Sequence, residues 1–202
     1  MSNLYLIRHG QSVYNLENRF TGWLNVELTT KGIEEAKDAA KNLKKFSLPE
    51  IAFTSKLIRA QKTLEIILEE LDLKIPIIES EKLNERNYGD LQGENKDEMR
   101  EKFGKEQVHL WRRSFETQPP NGESLKDTCE RTIPYFEENI IKNLKNNKDV
   151  VIVAHGNSLR SILKQIESLD GDEVVKLEVK TGQVIAYKFN KTNNSFSKLI
   201  SN

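Results

Sequence analysis

The sequence predicts an α/β fold, a three-layer sandwich in which a mostly parallel sheet is flanked by helices and a helical cap is inserted over the C-terminal edge of the strands. Three observations carry this reading. Short apolar runs alternate with segments of helical periodicity. Two of those runs, Leu4-Tyr5-Leu6-Ile7 and Val150-Val151-Ile152-Val153-Ala154, end at a histidine directly before a glycine, His9-Gly10 and His155-Gly156. Between residues 83 and 123 the periodicity weakens while charged and aromatic side chains accumulate, as in a functional connection.

The strand-like runs lie at 3–8, 50–54, 76–80, 150–154 and 183–189. After the first, Gly10 allows a sharp turn and Gln11-Ser12 offers a helix cap. Lys31 to Lys45 sets Ile33, Ala36, Ala40 and Leu43 on one side, and Ile58 to Leu71 does so with Leu64, Ile67, Leu68 and Leu71, which predicts two amphipathic helices. Ser124 opens a further helix with a capping box completed by Asp127. That helix carries Leu125, Cys129, Ile133, Phe136, Ile140 and Leu144 inward and should bend at Pro134. Past the second histidine, Asn157-Ser158 would cap a helix with Leu159, Ile162, Leu163 and Ile166 inward. With no repeat, low-complexity tract or linker, residues 1–202 read as a single domain whose cap spans about 83–123.

Composition narrows the function. A chain of 202 residues with 31 basic and 31 acidic side chains has no global field to draw it to nucleic acid or an acidic membrane, so any anion preference must be local. Cys129 is the only cysteine, which excludes an internal disulfide and suits an inert buried thiol. The longest apolar run is too short for a bilayer and the N-terminus has no signal-peptide pattern, so a cytoplasmic location is expected.

In open α/β sheets ligands bind beyond the carboxyl ends of the strands, which is where both histidines would emerge. Arg8, and Arg59 just after the second strand, can each present a planar fork to the oxygens of a phosphoryl group. A neutral imidazole attacks phosphorus once its tautomer is fixed. Either histidine could do so, and His9 has Arg8 beside it. Two histidines with no carboxylate cluster argue against a metal, and no nucleotide-binding glycine pattern occurs, so phosphate transfer without metal or nucleotide is the expected chemistry.

Arg8-His9-Gly10-Gln11-Ser12 with Asn15, and Phe20-Thr21-Gly22-Trp23, resemble the opening signature of the histidine phosphatase superfamily, specifically its cofactor-dependent phosphoglycerate mutases. Later blocks follow in order: Leu83-Asn84-Glu85-Arg86-Asn87-Tyr88-Gly89 with Lys96, Trp111-Arg112-Arg113, Gly122-Glu123-Ser124, and Ala154-His155-Gly156-Asn157-Ser158-Leu159-Arg160. The resemblance implies that His9 becomes phosphorylated, that His155 stabilises the transferring group, and that Glu85 is the general acid and base. A carboxyl beside a polyanion and partly desolvated should have its pKa raised toward neutrality. The resemblance further implies that Arg8, Asn15, Thr21, Gly22, Arg59, Tyr88, Lys96, Arg112, Arg113, Gly156 and Asn157 hold phosphoglycerates. It also implies 2,3-bisphosphoglycerate as primer and exchange of 3-phosphoglycerate with 2-phosphoglycerate in glycolysis and gluconeogenesis.

The connection 114–122 is shorter than in many of these mutases and the tail after Phe189 is brief. Both regions shape closure and subunit contacts in the family, so both a homodimer and a monomer stay open, as does the extent of phosphatase side activity. The alternative is a metal-independent histidine phosphatase of small phosphorylated metabolites, which would share Arg8, His9, Arg59, Glu85 and His155 but would not require Lys96, Arg112 and Arg113. A non-catalytic phosphate-binding scaffold would lack at least one catalytic group.

Overall fold

The computed structural model describes residues 1–199. In chain order the elements are β1 (Ser2–Arg8), α1 (Val13–Leu16), α2 (Thr30–Leu43), β2 (Ile51–Thr54), α3 (Ile58–Glu70), β3 (Ile77–Glu79), α4 (Lys96–Phe103), α5 (Lys105–Arg113), α6 (Leu125–Tyr135), α7 (Ile141–Lys145), β4 (Val150–Ala154), α8 (Gly156–Glu167), α9 (Gly171–Val174), β5 (Val184–Asn190) and β6 (Ser195–Leu199). The strands form one sheet in the order β3-β2-β4-β1-β5-β6.

Period-2 alternation along buried strands builds the layers. Leu4, Leu6, Ile152 and Ala154 face a core closed by the helical turn Phe136–Ile140, α7 and α8, while Tyr5, Ile7, Val151 and Val153 face one closed by α2 and α3. The four strands from β3 to β1 are parallel. β5 and β6 are antiparallel, so the sheet is mixed rather than uniformly parallel. The sequence reading missed β6, an edge strand in which Phe196 packs on one core and Leu199 on the other, leaving no alternation to detect. The rest of the tail, 200–202, lies outside the described residues.

Behind Pro134, which lacks the N–H an α-helical turn needs, the helix continues as a π turn, Phe136–Ile140, before α7. Within 83–123, α4 and α5 meet at Gly104 and pack Met99, Val108 and Trp111 with Phe20 and Leu91 into a small core of their own. Gly10 is required by close approach rather than by a special turn. A Cβ there would lie 2.1 Å from the Gly32 carbonyl oxygen of α2.

Candidate active site

The parallel register of β1 and β4 pairs Arg8 with Ala154, and the His9 N–H donates to the Ala154 carbonyl at 3.0 Å. Residues 9 and 155 therefore leave adjacent strands at the same level, and their rings stand 4.9 Å apart between centroids. Both side chains are buried, and the residues next to them in the chain, Arg8 and Gly156, line a cavity of about 220 Å³.

The tautomer of His9 is fixed at both ends. Its Nδ1 lies 2.7 Å from the Gly10 carbonyl, which only accepts, so Nδ1 carries the hydrogen. Arg59 Nε donates to Nε2 at 3.3 Å, so Nε2 holds the lone pair. Burial, then the charges of Arg59 and Arg8, push the His9 pKa well below its ordinary value and keep the imidazole neutral. The structure thus offers Nε2 as a nucleophile. The Arg59 fork, expected to meet phosphoryl oxygens, is engaged with backbone here. Nη1 and Nη2 donate to the Leu24 and Gly22 carbonyls at 3.0 and 2.8 Å, which leaves Nε to orient His9. Burial lowers the Arg59 pKa to about 10, against the opposing pull of Glu85.

His155 is itself the residue preceding α8, so the helix begins one position before the expected Asn157-Ser158 cap. The Ser158 hydroxyl accepts the His155 N–H at 3.2 Å instead. His155 Nε2 contacts Ser55 Oγ at 2.7 Å. Burial first, then Arg59, His9 and Arg8, hold its pKa well below the ordinary value. Ser55 was not anticipated, although its place just past β2 matches that of the histidines past β1 and β4.

Glu85 is buried against the α8 start. Its Oε1 accepts the backbone N–H groups of Arg86 and Asn157 at 2.8 and 3.0 Å. Its Oε2 stays free, 3.6 Å from where a Cβ on Gly156 would be. The rise expected beside a polyanion is not what the protein's own groups produce. Burial acts upward, yet the Arg86 N–H, the charges of Arg8 and Arg59 and the bond from Asn157 outweigh it and hold the carboxyl below its ordinary value.

Of the residues singled out in the sequence, Arg8, Asn15, Thr21, Gly22, Glu85, Tyr88, Lys96, Arg112, Arg113, Gly156 and Asn157 line the cavity; His9, His155 and Arg59 lie behind it. Arg19, Phe20 and Arg160 also line it and were missed. Arg160 had a signal, since it stands four residues after Gly156 on the same helical face. Glu85 is the only carboxylate among these lining residues, facing six cations. Burial and the neighbouring Arg112 and Arg8 lower the Lys96 pKa to about 8.

Two features fit a multiply charged anion. Arg8 Nε and His155 Nδ1 are buried without a hydrogen-bond partner, which is costly unless a ligand supplies one. Gly156 leaves open a space between Glu85 and the Arg8 guanidinium that a Cβ would fill. Among the described residues no group of His, Cys, Asp and Glu is arranged to hold a metal ion, and no helix is long and apolar enough to cross a membrane.

The family profile described as "Histidine phosphatase superfamily (branch 1)" matches residues 4–201. A phosphoglycerate mutase of Schizosaccharomyces pombe is 52% identical, covering 98% of this chain and 96% of that protein. A 2,3-bisphosphoglycerate-dependent phosphoglycerate mutase of Protochlamydia amoebophila is 48% identical over 94% of this chain and 96% of its own length. Among solved structures, Bacillus stearothermophilus YhfR superposes with a TM-score of 0.86 at 26% identity, covering 99% and 96% of the two chains. A putative alpha-ribazole-5'-P phosphatase of Escherichia coli superposes with a TM-score of 0.84 at 22% identity, covering 100% and 96%, a likeness of fold.

Proposed function

The chain belongs to the histidine phosphatase superfamily, and from that membership we propose that it is a 2,3-bisphosphoglycerate-dependent phosphoglycerate mutase exchanging 3-phosphoglycerate and 2-phosphoglycerate. The observation that carries the reading is the cationic lining that the helices of the 83–123 segment add to the cavity. Lys96, Arg112 and Arg113, all from α4 and α5, line the same cavity as Arg8, the neighbour of His9 in the chain. A phosphatase needs one anion site at the nucleophile. A substrate with a phosphate and a carboxylate needs cations at both ends. The relatives near 50% identity named as mutases agree with this.

In this reading His9 Nε2 attacks phosphorus, with Arg59 Nε and the Gly10 carbonyl holding the ring. Arg8 and His155, with their unpartnered nitrogens, stabilise the charge that develops on the transferring group. Glu85 Oε2 takes the proton of the attacking substrate hydroxyl and returns it to the leaving one. Lys96, Arg112 and Arg113, with Asn15, Thr21, Gly22, Tyr88, Gly156 and Asn157, hold the acid in either orientation. The bisphosphate supplies the phosphoryl group that loads His9, and Arg8, Lys96 and Arg112 would bind it. We take residues 1–202 as one domain and 83–123 as the cap that excludes water, and place the enzyme in the cytoplasm with glycolysis and gluconeogenesis.

The test is a coupled assay on 3-phosphoglycerate, with and without the bisphosphate and with no added metal, in which free phosphate is followed in parallel. Isomerisation that depends on the bisphosphate is the expected result. Release of phosphate at the rate of substrate loss would make the protein a phosphatase.

A further inference from the structure

Arg86 is 1% exposed and forms no ion pair among the described residues. A buried guanidinium without a carboxylate is costly, so its contacts need a reason. Its Nη2 donates to the Tyr88 hydroxyl at 2.8 Å and to the Arg112 carbonyl at 3.1 Å, while Nε and Nη1 have no partner. The guanidinium carbon lies 4.6 Å from the Tyr88 ring centroid.

The direction of each hydrogen bond around Tyr88 is settled by groups that can only donate. Arg86 is one. Arg160 Nη1 donates to Asn157 Oδ1 at 3.1 Å, which fixes the Asn157 amide so that its Nδ2 donates to the Tyr88 oxygen at 3.4 Å. The phenolic oxygen therefore receives two donors, and its own proton must go elsewhere. Phe20 covers the ring at 5.1 Å and offers no acceptor. The cavity is the remaining direction, and of the groups that line it with Tyr88, Lys96 and Arg112 only donate, while the Glu85 carboxylate makes its hydrogen bonds to the Arg86 and Asn157 N–H groups and none to the Tyr88 hydroxyl.

We propose that Arg86 is a positioning residue that, together with Asn157, turns the Tyr88 hydroxyl proton into the cavity and makes Tyr88 a fixed donor to the bound phosphoglycerate. The inference rests on the mutase reading of the site. Arg86 also donates to the Arg112 backbone carbonyl at the end of α5. The Arg86 charge and hydrogen bond lower the Tyr88 pKa against the effect of burial, in keeping with a strengthened donor.

A bond of this kind acts on substrate in ground and transition states alike, so its loss falls on KM rather than kcat. The experiment measures both constants for 3-phosphoglycerate in Tyr88→Phe, Arg86→Met and the double variant. Each single change should raise KM about 10- to 100-fold, the span expected for a hydrogen bond to a charged group. Adding Arg86→Met to Tyr88→Phe should raise it by less than about threefold, since coupled residues are non-additive. Arg86→Lys, which keeps a donor, should recover part of the loss. An unchanged KM in Tyr88→Phe overturns the proposal even if Arg86→Met fails to fold. So does an Arg86→Met penalty that is equally large with and without the hydroxyl, as a purely structural role requires. Absence of mutase turnover in the unaltered chain would instead overturn the reading of the site on which the inference rests.

Discussion

Replacing Glu85 by Gln separates proton transfer from binding in this site. The amide is nearly isosteric, and its oxygen can still accept the Arg86 and Asn157 N–H groups that Oε1 accepts at 2.8 and 3.0 Å. What is lost is the free Oε2 as a proton carrier, together with one negative charge. General acid and base catalysis by one side chain contributes about 10²- to 10⁴-fold, so kcat should fall by that factor, roughly 3–5 kcal/mol of barrier. Binding should move the other way. Glu85 is the only carboxylate among the cavity-lining residues, and removing it relieves repulsion of an anionic substrate, so KM should hold or drop. The charge also steadies buried Arg59, so the variant should lose stability on the order of 1–3 kcal/mol. The coupled mutase assay, run below the variant's melting transition and paired with calorimetric binding of 3-phosphoglycerate, reads both effects. A kcat within tenfold of the unaltered enzyme, or a KM that rises as far as kcat falls, would refute the assignment of Glu85 to proton transfer.

The remaining predictions concern the cavity and the two buried histidines. Gly156→Ala should be more stable by about 0.5–1 kcal/mol, because the helix gains propensity and the new Cβ would meet nothing closer than Glu85 Oε2 at 3.6 Å. The same Cβ occupies ligand space, so KM should rise; a variant that is both more stable and fully active would show that the open space is not used. Stability should also depend on pH through the buried His9 and His155. Each is neutral when folded and has an ordinary value of 6.5, so below that pH the unfolded chain binds protons that the native one does not. Stability should therefore fall as pH drops from about 6.5, by about 1 kcal/mol per unit for each group, and be level above it. Glu85, with its lowered pKa, contributes stability that is present above its ordinary 4.5 and lost as pH falls through the lower folded value. Denaturant melts between about pH 5 and 8 should give a slope that His155→Asn reduces by half; an unchanged slope would mean that His155 is not held neutral.

Much of the architecture was legible because burial on both faces writes continuous apolar runs. β1, β2 and β4 could be read for that reason, as could the amphipathic α2, α3, α6 and α8. Edge elements were less legible. β3 could be read at 76–80 although it is exposed along its length, whereas β6 gives one apolar side chain to each core and has no pattern of a half-buried strand. The antiparallel direction of β5 left no mark either, since a buried strand reads the same whichever way it runs.

The site shows a sharper division between what local sequence encodes and what only tertiary contact creates. Two strand-histidine-glycine endings announce their convergence because parallel register aligns strand ends, and Arg8 opposite Ala154 is enough to bring the two rings together. Arg86 had no such signal. It stands one position from Glu85 in the block that drew attention, yet its role arises from Tyr88 and from the Arg112 carbonyl, 26 residues away. The direction of the Glu85 pKa was equally hidden. Proximity to a polyanion argues for a raised value, but the Arg86 N–H, then the charges of Arg8 and Arg59, hold the carboxyl ionised. An anion bound among those guanidinium groups offsets their field while burial remains, which moves Glu85 upward from its low starting point. A residue that must take a proton from one hydroxyl and give it to another is served by that dependence, since the cations that grip the substrate also set the carboxyl's readiness to hold the proton.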